Sequence, residues 1–235
     1  MGGGGLLVEA GVEAGITDRS GLIAQGRGEA FDYLLGEQTI PSAAEAARVA
    51  AALLLEAEHP VISVNGNLAA LVPDATVAVA AATGAALEVN LFHASEQRRE
   101  AIAGHLRAHG AEAVGGFTRD ATIAGIDHAR ARVDADGIAA ADVVLVPLED
   151  GDRAAALAAA GKQEIVIDLN PLSRSMEAAA VPIADNVTRA MPAIASAAAD
   201  LRDAQRAERE ALLAGFDAAA ARAAAEEALR EATLS

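Results

Sequence analysis

The chain has no cysteine and no tryptophan, and its 235 residues include one tyrosine and four phenylalanines. Without cysteine, disulfides and thiolate metal sites are excluded. With aromatics at 2% against 53% hydrophobic residues overall, the core must be built from valine, isoleucine, leucine and alanine. No apolar run reaches transmembrane length, and Met1–Gly5 carries neither the charged region nor the apolar region of a signal peptide. A soluble cytoplasmic protein is therefore expected. Basic residues are scarce too: 18 Lys and Arg stand against 34 Asp and Glu, for a net charge of −16. That balance argues against nucleic acid, whose phosphate backbone needs a basic face. A Lys-poor, acidic surface suits a salt-rich cytoplasm that screens like-charge repulsion, so a halophilic source is expected.

The chain is long enough for one full core with an appendage. Its most informative stretch is Glu164 to Ser175. Ile165-Val166-Ile167 reads as a strand buried on both faces of a parallel sheet. Polarity then rises abruptly with Asp168, Asn170, Ser173 and Arg174, and Pro171 prevents the strand from continuing. In an open parallel sheet ligands bind beyond the carboxyl ends of the strands. A small polar ligand would account for these side chains, and so would a capped strand-to-helix loop.

Upstream, residues 1–20 form a poorly defined amino-terminal segment. Gly26-Arg27-Gly28 resembles a phosphate loop, but Phe31 stands where a dinucleotide fingerprint needs its third glycine. Arg27 on permissive backbone can grip phosphate oxygens, or pair with Glu29 or Asp32. A helix is predicted from Pro41 to about Glu58, a strand over Val61–Val64, and a turn at Asn65-Gly66-Asn67. Helical pieces broken by Pro73 follow, then a strand from Leu87 to Phe92 carrying Asn90 and ending near His93. Ser95 caps the next helix and Gly110 closes it. His93 reads as a strand-end histidine bonded to backbone.

Ala113-Val114 is a candidate short strand. Beyond it Arg119, Asp120, Asp127, His128, Arg130 and Arg132 gather in a loop-like region, fitting either an anionic ligand or solvated ion pairs. Val143–Pro147 is a strong strand running into Glu149, Asp150, Asp152 and Arg153. Carboxylates at such a position commonly hold Mg²⁺ near phosphates, although Asp152 would also serve as a helix cap. A last short strand, Val181 to Ile183, precedes Asp185-Asn186, and residues 193–235 read as one or two alanine-rich helices. Alternating strands and helices define a doubly wound α/β sheet.

In combination, these segments resemble the archaeal phosphopantothenate synthetase (4-phosphopantoate–β-alanine ligase) family. The matching runs are Gly21 to Glu37, Pro60 to Asn67, Glu88 to Phe92, Ala141 to Arg153, Ile167 to Arg174, and Asp185-Asn186. The resemblance implies a Rossmann-like α/β fold, mostly parallel with helices on both faces, across residues 21–192. It implies an ATP-dependent ligase of coenzyme A biosynthesis, joining 4-phosphopantoate to β-alanine with release of AMP and diphosphate, and a homodimer. Its nucleotide contacts fall on Arg27, on Asp168-Leu169-Asn170, on Arg174-Ser175 and on Asp185-Asn186. Ser175 stands where the family usually has threonine, and Gln25 where it often has histidine. The family's amino-terminal His-Pro-Arg motif, with a further nucleotide-binding arginine, has no counterpart in Met1–Asp18, so ATP binding with slow turnover is expected.

The residue chemistry agrees. No Gly-x-x-x-x-Gly-Lys-Ser/Thr loop exists, and Lys162, the only lysine, is not in a phosphate loop, which excludes a P-loop enzyme. Arg27, Arg153 and Arg174 offer anion clamps; Glu149, Asp150 and Asp152 offer metal ligands; Asn65, Asn67 and Asn90 offer neutral donors. A non-catalytic nucleotide-binding regulator of the same fold is the second reading, which pyrophosphate release would distinguish. An NAD-linked oxidoreductase is disfavoured by the absent third glycine.

Overall fold

The structure is a computed structural model that describes residues 3–148 and 150–232. The chain opens with helices α1 (Gly3–Glu13), α2 (Arg19–Leu34) and α3 (Pro41–Glu56) before strand β1 (Pro60–Val64). Helices α4 (Gly66–Leu71) and α5 (Pro73–Thr83) lead to β2 (Ala86–Val89) and α6 (Glu96–Ala108). A small hairpin of β3 (Ala121–Thr122) and β4 (Arg132–Val133) precedes β5 (Val143–Pro147), α7 (Gly151–Ala159) and β6 (Gln163–Ile167). Helix α8 (Arg174–Ala178), β7 (Val181–Ile183), α9 (Val187–Arg202), α10 (Arg206–Gly215) and α11 (Ala218–Glu231) complete it.

Five strands form one parallel sheet in the order β2-β1-β5-β6-β7. The chain crosses from β1 outward to β2, then returns past β1 to β5. That reversal puts the topological switch point, where doubly wound sheets open a crevice, at the ends of β1 and β5. Side chains alternate along these strands. Ile62, Val64 and Leu145 join the core cluster that includes α3 and α9, while Val61, Val144 and Val146 pack with Leu157 and Ile138 on the other face. The alanine content has a packing function here: Ala46, Ala47, Ala50 and Ala51 of α3 are buried, as are Ala190 and Ala198 of α9, and short side chains let helices approach closely.

Several sequence expectations are corrected. Gly26-Arg27-Gly28 is not a loop but lies inside α2, because Asp18 caps the helix by accepting the Ser20 N–H at 3.0 Å and Gly36, at φ +79°, terminates it. Asn65 is the N-cap of α4, accepting from Leu68 N–H at 2.9 Å, and Gly66 and Asn67 belong to that helix rather than to a turn. Asp150, not Asp152, caps α7, accepting from Arg153 N–H at 2.9 Å. Ala113-Val114 forms no strand; only a bridge between Gly115 and Glu88 survives. The segment after Val187 makes three helices, and α9 runs straight through residue 192, packing on α3.

The edge strand β2 is closed by its own acid. Glu88 is buried, and its carboxylate accepts the Ile138 N–H at 2.6 Å and the Asp134 N–H at 3.2 Å. Asp134 in turn accepts from Gly116 N–H at 2.6 Å and Arg119 N–H at 2.7 Å. Gly137 is required beside it, since a Cβ there would lie 2.0 Å from Glu88 Oε2. Burial pushes the Glu88 carboxyl up to about 7; the two N–H donors and Arg153 oppose the rise, and the Asp134 carboxylate adds to it.

A carboxyl raised in the folded state holds its proton where the unfolded chain has lost it. Stability from this group is therefore present below about pH 4.5 and lost as pH rises toward 7. The loss is on the order of 3 kcal/mol. Urea unfolding at pH 5 and pH 7.5 should show a smaller difference in Glu88→Gln than in the unaltered chain. Equal differences would show that Glu88 is ionised throughout.

Candidate active site at the carboxyl edge of the sheet

Helix α2 lies across the carboxyl ends of the strands and connects two groups of polar residues. At its start, Asn67 donates to Gly21 O at 2.9 Å and accepts from the buried Thr17 hydroxyl at 2.6 Å. At its middle, Gly28 packs beside Leu169 and the Arg27 charge acts on Asp168. At its end, Asp32 accepts from Asn186 Nδ2 at 2.8 Å and from Arg189 Nη2 at 2.5 Å. Arg189 Nε also reaches Asp185 Oδ1 at 2.8 Å, and Thr39 donates to Asp185 Oδ2 at 2.6 Å. Arg27 is exposed and pairs with neither Glu29 nor Asp32, because Asp32 is taken by Asn186 and Arg189.

One group lies beyond β6 and β7. Asp168 accepts the Asn170 N–H at 3.0 Å, and burial raises its carboxyl above the ordinary range against the opposing pull of that N–H, of Ser173 and of Arg27. Asn170 accepts from Leu172 N–H at 3.1 Å, and Ser173 caps α8 with its hydroxyl 3.1 Å from that of Ser175. Arg174 is exposed and donates to Asp152 Oδ1 at 2.7 Å. A Cβ on Gly151 would lie 2.6 Å from that of Arg174, so only glycine lets α7 begin so close to α8. Helices α7 and α9 both start at this edge and present the positive ends of their dipoles there.

The other group forms a cleft of about 200 Å³ at the switch point. Its lining includes Thr17, Asn65, Asn67, Asn90, Arg98 and Arg130. Asn65 Nδ2 donates to Pro147 O at 2.8 Å, tying the end of β1 to that of β5. Asn90 accepts from Arg130 Nε at 3.1 Å and donates to the carbonyls of Arg130 and Arg132 at 3.2 and 3.4 Å. Arg130 Nη1 reaches Asp150 Oδ2 at 3.1 Å. Burial works to raise the Asp150 carboxyl, but the Arg153 N–H and the charges of Arg130, His128 and Arg153 outweigh it and hold it below the ordinary range. Leu148, also in the lining, adopts φ +58°, a backbone strain that clusters at functional sites.

One expected role does not match this geometry, and the expected metal ligands are described only in part. Arg153 is fully buried beneath the sheet, its Nη2 3.2 Å from Ser63 Oγ, so it does not meet a ligand as a clamp. Asp150 caps α7 and pairs with Arg130, and Asp152 pairs with Arg174; among the described residues no three acidic or histidine side chains gather to hold a metal. Glu149, the third expected metal ligand, lies outside the described residues. The His93 carbonyl accepts from Arg98 Nη1 at 2.7 Å, a contact of its backbone and not of the expected imidazole. Sequence reading passed over Thr17, Asp18, Phe92 and Arg98 as site residues. The expected donors Asn65, Asn67 and Asn90 and the clustering of arginines around Arg130 did point toward the cleft.

A doubly wound parallel sheet with arginines, asparagines and helix N-termini at its carboxyl edge defines an α/β enzyme of Rossmann-like architecture. The chain belongs to the phosphopantothenate/pantothenate synthetase family, whose model matches residues 42–232. It is 50% identical over 208 residues to a 4-phosphopantoate–β-alanine ligase of Thermococcus kodakarensis, covering 88% of this chain and 80% of that one. A ligase of the same name from Methanosarcina mazei is 51% identical over 210 residues, covering 89% and 83%. A third, from Methanospirillum hungatei, is 54% identical over 183 residues, covering 78% and 74%.

Gly21→Ala tests how tightly α2 is docked. In an exposed helix the change would stabilise by about 0.5–1 kcal/mol. Here the new Cβ would lie 2.2 Å from Asn67 Oδ1 and 2.6 Å from Thr17 Oγ1. Overpacking costs about 1–3 kcal/mol, so a net loss of stability is expected in denaturant unfolding. A gain would mean that the Thr17–Asn67 contact yields freely.

Proposed function

We propose that this chain is an ATP-dependent ligase that condenses 4-phosphopantoate with β-alanine to give 4′-phosphopantothenate, AMP and diphosphate, a step of coenzyme A biosynthesis. The observation that carries it is the family match together with half-identical relatives bearing that ligase name over most of their length. The geometry supports the same reading. Release of AMP requires the acid's carboxylate to attack the α-phosphorus, with a bond formed to that atom as the bond to diphosphate breaks. β-Alanine's amine then displaces AMP from the acyl carbon.

The nucleotide would lie on the β6–β7 side, along Arg27, Asp168-Leu169-Asn170, Arg174-Ser175 and Asp185-Asn186. Arg27 and Arg174 carry charge that does not titrate away and would hold the phosphates as negative charge builds on the departing diphosphate. Asp185 and Asn186 fix the end of β7 through Arg189 and Asp32 and would form the floor of that site. Asn65 spans the two strands at the switch point and Asn90 orients Arg130, which supports a role for them as neutral and cationic donors to the acyl group. Mg²⁺ would enter on the triphosphate, since such sites hold it largely through phosphate oxygens and waters with one or two carboxylates.

The same reading includes a cytoplasmic homodimer working in a salt-rich cell. Exposed Leu6 and Leu7 of α1 and Ile23, Tyr33 and Leu34 of α2, on helices that pack together, support a partner copy, and the net charge of −16 supports the salt. No helix among the described residues is long and apolar enough to cross a membrane.

Pyrophosphate release should require ATP, 4-phosphopantoate and β-alanine together. ATP binding without release would instead favour a regulatory protein of this fold. Arg174→Ala should weaken ATP binding by about 1.5–3 kcal/mol in calorimetry, the range for losing a hydrogen bond to a charged group. Unchanged affinity would leave Arg174 as nothing more than Asp152's surface partner.

A further inference from the structure

Two side chains of the edge strand fasten one stretch of the hairpin region. Glu88 and Asn90 are two residues apart, so they project from the same face of β2 and the residue beyond it. Asn90 donates to the carbonyls of Arg130 and Arg132 and accepts from Arg130 Nε. Glu88 accepts the N–H groups of Asp134 and Ile138, one on each carboxylate oxygen. Residues 130–138 are thereby tied to β2 at both ends. Within that stretch, Arg130 is the residue that lines the switch-point cleft.

Glu88 differs from Asn90 in that it titrates. It is 1% exposed, and both of its hydrogen-bond partners are neutral N–H groups. The Asp134 carboxylate, also buried, adds charge of the same sign, while Arg153, which reaches Ser63 from α7, opposes it. Ser63 itself, the neighbour of Glu88 in register on β1, is neutral. On the remaining side Glu88 and Asp134 line a groove of about 780 Å³ between the end of α5 and residues 110–118. The other charged side chains of its wall, Glu112 and Asp136, are exposed acids. An ionised Glu88 therefore meets only acids on the groove side, and it gains water if residues 134–138 move away.

Resting on the ligase reading, we infer that Glu88 is a positioning residue for Arg130: protonated, it tethers residues 134–138 to β2, and ionised, it releases them toward the groove. The direction follows from linkage. Burial raises the carboxyl to about 7, whereas release into water returns it toward the ordinary 4.5. The proton is thus bound more tightly in the tethered form, so raising the pH through 7 favours release. Arg130 still meets Asn90 and Asp150, but it loses the fixed backbone from which those bonds are made. A cation that stabilises charge in the transition state depends on fixed placement, so the loss falls on kcat more than on substrate binding.

Amide exchange on the unaltered chain reads the tether directly. By the same linkage, protection of the Ile138 and Asp134 N–H groups, referred to the unfolded-chain rate at each pH, should fall about tenfold between about pH 6 and pH 8. In Glu88→Gln, which keeps a carbonyl acceptor without a charge, protection should stay level. Turnover is compared as the ratio of kcat in the unaltered chain to kcat in Glu88→Gln. His128, which lies 3.7 Å from Asp150, and the ionising groups of the substrates titrate in both proteins and cancel in that ratio. The ratio should fall over the same window, by as much as about tenfold, with KM for ATP alike in the two proteins. Protection that stays flat or rises with pH in the unaltered chain would overturn the tether, even if the variant failed to fold. Falling protection with a constant kcat ratio would overturn the link to Arg130. An unaltered chain that releases no pyrophosphate at any pH would overturn the ligase reading and the catalytic part of this inference with it, while the exchange rates would still decide the tether.

Discussion

Everything at the carboxyl edge depends on α2 lying flat across the strand ends. Two polar clamps hold it there: Thr17, Asn67 and Gly21 at its start, and Asp32, Asn186 and Arg189 at its end. Neither clamp is hydrophobic, and α2 has few buried apolar residues of its own. Its glycines are therefore part of the docking rather than a ligand loop. Gly21 makes room for Asn67, and Gly28 packs on Leu169. A helix seated on hydrogen bonds is fixed in rotation as well as in distance, and rotation decides whether Arg27 faces Asp168 or solvent.

Beneath this edge a second polar layer runs through the protein. Ser63 of β1 lies opposite Glu88 of β2, and the buried Arg153 reaches up from α7 to Ser63. Further along, Asn90, Arg130 and Asp150 form a chain that leads from β2 to the start of α7. Buried ionic groups contribute little net stability compared with an apolar core, because desolvation offsets their attraction. Their effect is positional: they join the hairpin of β3 and β4, the edge strand and α7 into one unit, so that Arg130 enters the cleft from a fixed direction.

The sheet could be read from the chain because its strands are short β-branched runs with turn signals between them. Val143–Pro147 and Ile165–Ile167 had no competing interpretation, and parallel order follows once helices separate the strands. Gly26-Arg27-Gly28 misled for a physical reason. Glycine's permissive backbone suggests loop, but helix is set by the cap at Asp18 and by tertiary contacts that a local pattern does not contain. Asn65 shows the same ambiguity, since asparagine suits a left-handed turn and an N-cap equally. The nucleotide side could be assigned only through family resemblance. Arg98 and Asp18 escaped notice because their meeting spans 80 residues of chain and neither sits in a motif.

The remaining tension is electrostatic. A chain of net charge −16 is proposed to collect two polyanionic substrates, which its overall field repels. Screening resolves the long-range part, since charges more than about 8 Å apart are largely damped at physiological ionic strength and more so in higher salt. What remains is local, and locally the site is not acidic. Arg98 and Arg130 line the cleft at the switch point, while Arg27 beside Asp168 and Arg174 beside Asp152 stand in the group beyond β6 and β7. The nearby carboxylates of Asp18, Asp150 and Asp152 are each paired with one of these arginines. Partial burial strengthens contacts inside the cleft while the exposed acidic surface stays screened. The acidic exterior and the arginine-lined edge can therefore serve one protein, provided that salt silences the first without reaching the second.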